Sequence, residues 1–167
     1  YGISDASPGN RLHKALIKEG ISSSLVVLHN DKNGDEAVLS LGRKARLISK
    51  LNNWVQDLII RNIDERYGGF SYPTIGSNVS KLDVVAEADV IYLHWILNGF
   101  LSLKNIEQLA QLKKPVVLVM HDMWTITGGC FHSFECQKYM TKCGNCQLFP
   151  GSRLRDWATL EFETTKT

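Results

Sequence analysis

The sequence predicts an α/β domain in which helices flank a parallel sheet. Three short apolar runs, each ended by polar or turn-forming residues, indicate buried strands at residues 23–29, 89–95 and 116–120. A helical pattern from Ser102 or Leu103 to Leu112 separates the last two. Strand, helix and strand within about 30 residues form a βαβ unit. Such a unit predicts two neighbouring parallel strands joined by a right-handed crossover.

The chain before this unit predicts two more helices. The first runs from Ser7 to Gly20, because Ser7 can cap it, Pro8 suits its first turn and Gly20 ends it. The second, from Glu36 to Arg66, is the longest periodic segment, and its basic and polar residues, Gln56 included, fall mostly between the apolar ones. We expect its apolar face to pack on the sheet, although a basic amphipathic helix can also lie on an anionic membrane. The apolar positions are Leu41, Ala45, Ile48, Leu51, Val55, Leu58, Ile59 and Ile63.

Length and composition narrow the function classes. A chain of 167 residues with 44% apolar and 22% charged residues is typical of one soluble globular domain. The net charge of +2 predicts no nucleic-acid partner. The longest apolar run, VVLVM, is too short to span a membrane, and no secretion signal precedes the domain, so we expect a cytoplasmic protein. The opening Tyr1 and the polar end indicate a fragment or a trimmed chain, so we allow for a missing partner domain.

Two histidines follow neighbouring strands of the predicted sheet. His94 follows VIYL and His121 follows VLVM, so both should lie at the carboxyl edge, where open α/β sheets bind ligands. Imidazole there can bond a sugar hydroxyl or a phosphate, or transfer a proton near neutral pH. A histidine held by a backbone carbonyl without any ligand is the alternative. Two such histidines side by side, each near a tryptophan, favour a binding site.

Three neighbouring residues complete this predicted substrate-binding site. Trp95 and Trp124 offer aromatic faces, which suit sugar rings as well as core packing. Asp122 can orient His121 or bind a ligand hydroxyl, and it can equally cap the turn that follows.

All four cysteines lie in a predicted cysteine-rich loop at residues 123–150, after the HDMW strand end. A four-thiolate zinc site is the leading hypothesis, because one short loop with little core of its own supplies every ligand and contains a CGNC knuckle. His132 is a substitute ligand. Disulfides are the main alternative, and an iron–sulfur cluster or a CxxC redox pair comes third. The candidate metal ligands are Cys130, Cys136, Cys143 and Cys146.

The segment from Ala88 to Pro150 resembles the amino-terminal half of bacterial family 4 glycosyltransferases. It is most similar to the subgroup associated with colanic acid, capsule and lipopolysaccharide assembly. The resemblance is carried by HW, NGFLS, HDMW, TGGC and CGNC in this order, and RLHKALIKEGISSSLVV extends a looser likeness toward the start. The family has two Rossmann-like domains that face each other across a cleft, an arrangement called GT-B.

The resemblance implies that residues 1–167 are the truncated, acceptor-side Rossmann-like domain of a retaining glycosyltransferase that needs no catalytic metal. Its nucleotide-sugar donor would be bound mainly by the carboxyl-terminal domain of the same protein. A saccharide or lipid-linked saccharide would be the acceptor, which is compatible with peripheral association at the inner face of the cytoplasmic membrane. By position, His94 matches the histidine that reaches the donor sugar, His121 and Asp122 match the pair that lines the same cleft, and the cysteines match the subgroup's four.

The chain also departs from the family pattern. The first strand and its GGA turn are not recognisable in YGISDASPGN, and the donor-binding E-x7-E element is absent, so this fragment alone should not transfer sugar. The alternative function is a zinc-binding α/β interaction module without catalytic activity. A dinucleotide-dependent enzyme is disfavoured, because no GxGxxG fingerprint follows a strand.

Overall fold

The computed structural model describes residues 7–29, 37–151 and 156–165. It confirms a mixed α/β architecture with short strands and longer helices. The helices are α1 (Pro8–Lys18), α2 (Gly42–Ile60), α3 (Asp83–Glu87), α4 (Leu103–Ala110) and α5 (Trp157–Thr165), and the strands are β1 (Leu25–Val27), β2 (Val38–Ser40), β3 (Ile91–His94) and β4 (Val116–Val119). Short 3-10 helices occupy Glu65–Tyr67 and Lys138–Met140.

The strands form two parallel pairs, β1 with β2 and β3 with β4. In the second pair Leu93 lies opposite Leu118 and His94 opposite Val119, and α4 connects the two strands. The predicted βαβ unit is therefore confirmed. Among the described residues no ladder joins the two pairs, so a continuous Rossmann-like sheet remains a prediction.

Two apolar clusters hold the fold together. The first surrounds the βαβ unit and includes Leu93, Leu101 and Leu109. The second includes Phe70 and Ala158 and joins α5, which the sequence did not predict, to the cysteine-containing segment. Asp156 connects the same two parts, because its carboxylate accepts hydrogen bonds from the backbone N–H of Thr159 at 2.9 Å and of Cys146 at 2.7 Å. The start of α5 is thus capped by a residue that also binds the CGNC turn.

The long helix predicted from Glu36 to Arg66 is wrong at both ends. Residues 38–40 form β2, which pairs with β1, and the chain enters α2 through Gly42 at a φ of +77°, a value that favours glycine. After Ile60 the backbone leaves the helix for the 3-10 turn, which Asp64 caps by accepting a hydrogen bond from Arg66 N at 3.2 Å. Glu36 itself lies outside the described residues.

The orientation of α2 also differs from the prediction. Leu51 and Leu58, expected in the core, are 51% and 54% exposed, whereas Asn52 and Gln56 are buried. The physical reason is that these two amide side chains bond to the backbone of residues 70–75, which fixes the polar face inward. Across the described ranges, no helix combines the length and the apolar character needed to cross a bilayer.

Candidate functional site

The two predicted histidines lie together at one edge of the β3–β4 pair. His94 is the last residue of β3, and His121 follows the end of β4 by two positions. Nδ1 of His94 and Nε2 of His121 are 3.2 Å apart, and the ring centroids are 5.4 Å apart. The structure thus brings the two rings into hydrogen-bond contact, as the strand-end argument predicts.

The surroundings of His94 favour its neutral form. Burial lowers the pKa of His94 below its ordinary value of 6.5, and the neighbouring His121 lowers it further. In a neutral pair one ring donates the shared hydrogen bond and the other accepts it. Whichever ring donates, the two outer nitrogens, which are Nε2 of His94 and Nδ1 of His121, are then one donor and one acceptor. Such a pair is complementary to a hydroxyl group, which also donates and accepts.

One outer nitrogen of the pair has an unmet hydrogen bond. Nε2 of His94 is buried and has no hydrogen-bond partner among the described residues. An unsatisfied buried polar atom costs about 1–3 kcal/mol, which a ligand or a water molecule recovers by bonding to it. Nε2 of His94 can therefore bond a polar group that the described residues do not supply.

The histidines form one wall of a hollow of about 460 Å³. The N-terminus of α1 and strand β1 form other parts of the wall, and Leu97 and Phe100 add apolar surface. The ring of His94 packs on α1, since a Cβ at Gly9 would lie 3.5 Å from Cγ of His94. A hollow of this size, with apolar walls and a few convergent polar groups, is typical of a small-molecule site.

Trp95 stands at the rim of this hollow. Its side chain is 39% exposed, and its ring centroid is 5.7 Å from that of Phe131. Its φ of +42° lies in the left-handed region, which bulky residues rarely adopt. Residues with such strained backbone angles occur most often at functional sites. An accessible aromatic face beside two imidazoles can stack on the face of a sugar ring.

The structure places Asp122 and Trp124 differently from Trp95. Oδ1 of Asp122 accepts a hydrogen bond from Trp124 N at 2.7 Å, so this carboxylate caps the turn after β4. Trp124 is 3% exposed in the first core cluster, and its indole N–H donates to Ser71 O at 3.1 Å. The Trp124 ring is therefore a core residue behind the site and does not line the hollow.

The four cysteines lie in an irregular segment, and none of them forms a disulfide among the described residues. Burial raises the pKa of Cys143 and of Cys146 to about 11, so both are protonated near neutral pH. Among the described residues, no group of three or more His, Cys, Asp or Glu side chains is placed to hold a metal ion. The ring of His132 is 6.1 Å from that of Phe134. The zinc site thus has no support in this arrangement and stays a prediction.

Metal analysis of the protein, prepared without added zinc, tests that prediction. Four thiolates around one ion would give about one zinc per chain, and Cys143→Ser should then lose the metal. Folded protein that carries no zinc would contradict the prediction.

The site predicted from the sequence did not include the residues that line the hollow on the α1 side. Ser7, Gly9 and Asn10 line it together with β1. The available signal was Pro8, which predicts a helix start, because the first N–H groups of a helix have no partner within the helix and point toward bound groups. Nothing in the sequence says that this helix start faces His94.

Comparison with known proteins gives one relative. The chain is 26% identical over 149 residues to an Escherichia coli (strain K12) protein named as a colanic acid biosynthesis glycosyl transferase, WcaC. The match covers 81% of this chain and 34% of the relative, so the chain spans about a third of the length of WcaC. No family model and no solved structure matches the chain. The similarity supports a glycosyltransferase relationship.

Proposed function

We propose that this chain is the acceptor-side part of a glycosyltransferase. The whole enzyme would transfer a sugar from a nucleotide-sugar donor to a saccharide or lipid-linked saccharide in the synthesis of a cell-surface polysaccharide such as colanic acid, capsule or lipopolysaccharide. The observation that carries the proposal is the His94–His121 pair, whose rings are in contact on the wall of a sugar-sized hollow. The similarity to WcaC supports the transferase class.

The finer assignment rests on the resemblance of residues 88–150. It comprises membership of family 4, the GT-B arrangement and retention of the anomeric configuration. In this arrangement the carboxyl-terminal domain of the same protein would bind the nucleotide and its phosphates. The hollow of this chain would then receive the acceptor and one face of the donor sugar.

In this proposal each site residue has its own task in the transfer. A neutral His94 ring carries no charge, so it positions a hydroxyl of the donor sugar by a hydrogen bond. His121, which is exposed, completes the donor–acceptor pair toward a hydroxyl of the acceptor. Trp95 gives an apolar face for a sugar ring, and Asp122 keeps the turn that carries His121 in place. Catalysis by these residues rests on proximity and orientation.

A transfer assay with the intact protein that contains this chain tests the proposal. The protein is incubated with a panel of nucleotide-sugars and an oligosaccharide prepared from colanic acid, and products are identified by mass spectrometry and NMR. We expect a new glycosidic bond in which the anomeric configuration of the donor is retained. Turnover of no donor across the panel would contradict the transferase proposal, and an inverted product would contradict retention alone.

Trp95→Ala is expected to weaken saccharide binding by about tenfold, because it removes the stacking surface at the rim of the hollow. Trp157→Ala is the matched control, since Trp157 is also 39% exposed but packs near Tyr72, 5.5 Å between ring centroids. Titration calorimetry with the same oligosaccharide measures both affinities. Equal affinities for the two variants would remove Trp95 from the site.

A further inference from the structure

Aromatic rings continue from the rim of the hollow along the cysteine-containing segment. Trp95 lines the hollow, and its ring centroid is 5.7 Å from that of the half-buried Phe131. Phe134 follows three positions later in the chain and is 62% exposed. Isolated exposed apolar residues are ordinary, but neighbouring aromatic rings that extend from a candidate site mark an interaction surface.

Backbone hydrogen bonds hold the segment that carries these rings. The N–H of Phe131 donates to Gly69 O at 3.0 Å, and its carbonyl oxygen accepts from Met123 N at 2.8 Å. One position earlier, Cys130 pairs with Phe70 in an antiparallel bridge. Both backbone groups of Phe131 are thus bonded to neighbouring segments, which fixes the place of its ring.

Two consecutive glycines make room for the phenylalanine rings. A Cβ at Gly69 would lie 2.7 Å from Cδ2 of Phe131, which is closer than real Cβ contacts, so a larger residue there would displace the ring. A Cβ at Gly68 would lie 3.3 Å from Cε2 of Phe134. Because consecutive Cα atoms are only about 3.8 Å apart, rings that rest on Gly68 and Gly69 lie near each other.

The two most exposed rings of this group share a rare backbone conformation. The φ angle is +42° at Trp95 and +47° at Phe134, and among the described residues no other aromatic residue has a positive φ. A bulky residue stays in the left-handed region only where the surrounding structure enforces it, and such strain is frequent in ligand-binding segments. The backbone angles thus point to a ligand independently of the exposure of the rings.

The chemistry of this surface favours a saccharide as the ligand. A sugar ring offers a C–H face that stacks on an aromatic ring, and its edge carries hydroxyl groups that need polar partners. Glu135 and Gln137, which follow Phe134 closely in the chain, are exposed and supply such polar groups. The surface also continues from Trp95, to which the proposed function already assigns a sugar ring. One chain of linked sugars would thus contact the hollow and these rings together.

We propose that Trp95, Phe131 and Phe134, together called the aromatic row, bind the sugars of the acceptor that lie beyond the reacting one. This inference rests on the proposed function and deepens it, because it makes the acceptor an oligosaccharide chain. The reacting sugar occupies the hollow, the next sugar stacks on Trp95, and later sugars reach Phe131 and Phe134. Affinity should therefore increase with the length of the acceptor.

Titration calorimetry of the 167-residue chain with a disaccharide and a hexasaccharide, both prepared from colanic acid, tests the proposal. We expect the unaltered chain to bind the hexasaccharide at least about tenfold more tightly than the disaccharide. Phe134→Ala should weaken hexasaccharide binding about fivefold and leave disaccharide binding unchanged. Phe134→Trp should keep the tight binding, whereas Phe134→Leu, which has an apolar side chain but no aromatic face, should not.

Leu47→Ala is the matched control, because Leu47 is 66% exposed but lies on α2, outside the hollow and the aromatic row. It should bind both oligosaccharides as the unaltered chain does, and circular dichroism checks that each variant is folded. Equal affinities for the two lengths, or hexasaccharide binding that Phe134→Ala leaves unchanged, would overturn the proposal. A dimer that forms without saccharide and that Phe134→Ala disperses would assign the row to a second copy and overturn it as well.

A transfer assay of the intact protein with the same two acceptors separates this inference from the proposed function. Length-dependent binding that requires Phe134, in a protein that transfers no sugar, would support the aromatic row and contradict the transferase. Transfer to both acceptors with the same KM, which Phe134→Ala does not change, would support the transferase and contradict the aromatic row.

Discussion

Replacing His94 with alanine is expected to lower sugar transfer by the intact protein about 100-fold or more. The substitution removes one half of the 3.2 Å imidazole pair and the buried Nε2 that has no protein partner among the described residues. Loss of a positioned polar group that contacts the reacting sugar typically costs this much in rate. Initial rates at saturating donor and acceptor measure the effect on kcat.

The control is His132→Ala, which makes the same substitution at an exposed histidine outside the hollow. It should leave turnover unchanged. His121→Ala should cause a loss of similar size, and the double variant should be little worse than either single one, because the two rings act as a unit. Unchanged turnover of His94→Ala would remove this residue from the mechanism.

Glu161→Gln is expected to stabilise the fold by up to roughly 5 kcal/mol at alkaline pH. Glu161 is 0% exposed, and neither carboxylate oxygen has a hydrogen-bond partner among the described residues. Burial raises the pKa of this carboxyl from 4.5 to about 8. At about 1.4 kcal/mol per pH unit, that difference sets the size of the effect.

The direction follows from proton binding. Below pH 4.5 the carboxyl is protonated in both the folded and the unfolded chain, so it costs nothing electrostatically. Between 4.5 and about 8 the unfolded chain releases the proton but the folded chain keeps it, so stability falls as pH rises. Above about 8 the folded protein carries a buried, unpaired charge and the loss is complete. Glutamine removes this pH dependence.

Urea unfolding across this pH window measures the free energy of unfolding of both proteins. Glu163→Gln is the matched control two residues along α5, because Glu163 is exposed and pairs with Lys142 at 3.3 Å. Such a surface pair contributes at most about 1 kcal/mol. Parallel pH profiles for the unaltered chain and Glu161→Gln would show that the carboxyl does not titrate in this way.

The core of the site was predictable because its geometry follows from local rules. His94 and His121 each follow an apolar run, and a helix connects the two runs. Because the strands of a βαβ unit are parallel, both must end at the same edge of the sheet. Trp124 was not predictable in the same way. A tryptophan three residues after a strand-end histidine can turn toward the edge or into the core, and its bond to Ser71 decides this from 53 positions away.

The orientation of α2 shows the same limit more strongly. Its sequence period identifies a helix, but two faces compete for the core. The face with Asn52 and Gln56 is buried because backbone groups at 70–75 supply their hydrogen bonds, and those partners lie 14 to 23 residues further along the chain. The hydropathy pattern alone predicts that the leucine face is buried. It contains no information on where buried polar side chains will find hydrogen-bond partners.

The most direct test of the histidine site is an NMR titration of the imidazole rings. The chain, labelled at histidine, is titrated with a disaccharide prepared from colanic acid, while ring signals of His94, His121 and His132 are followed. We predict that the signals of His94 and His121 shift together along one saturable curve, whereas those of His132 do not move. Binding that leaves both His94 and His121 unshifted would contradict the assignment of this hollow to a saccharide.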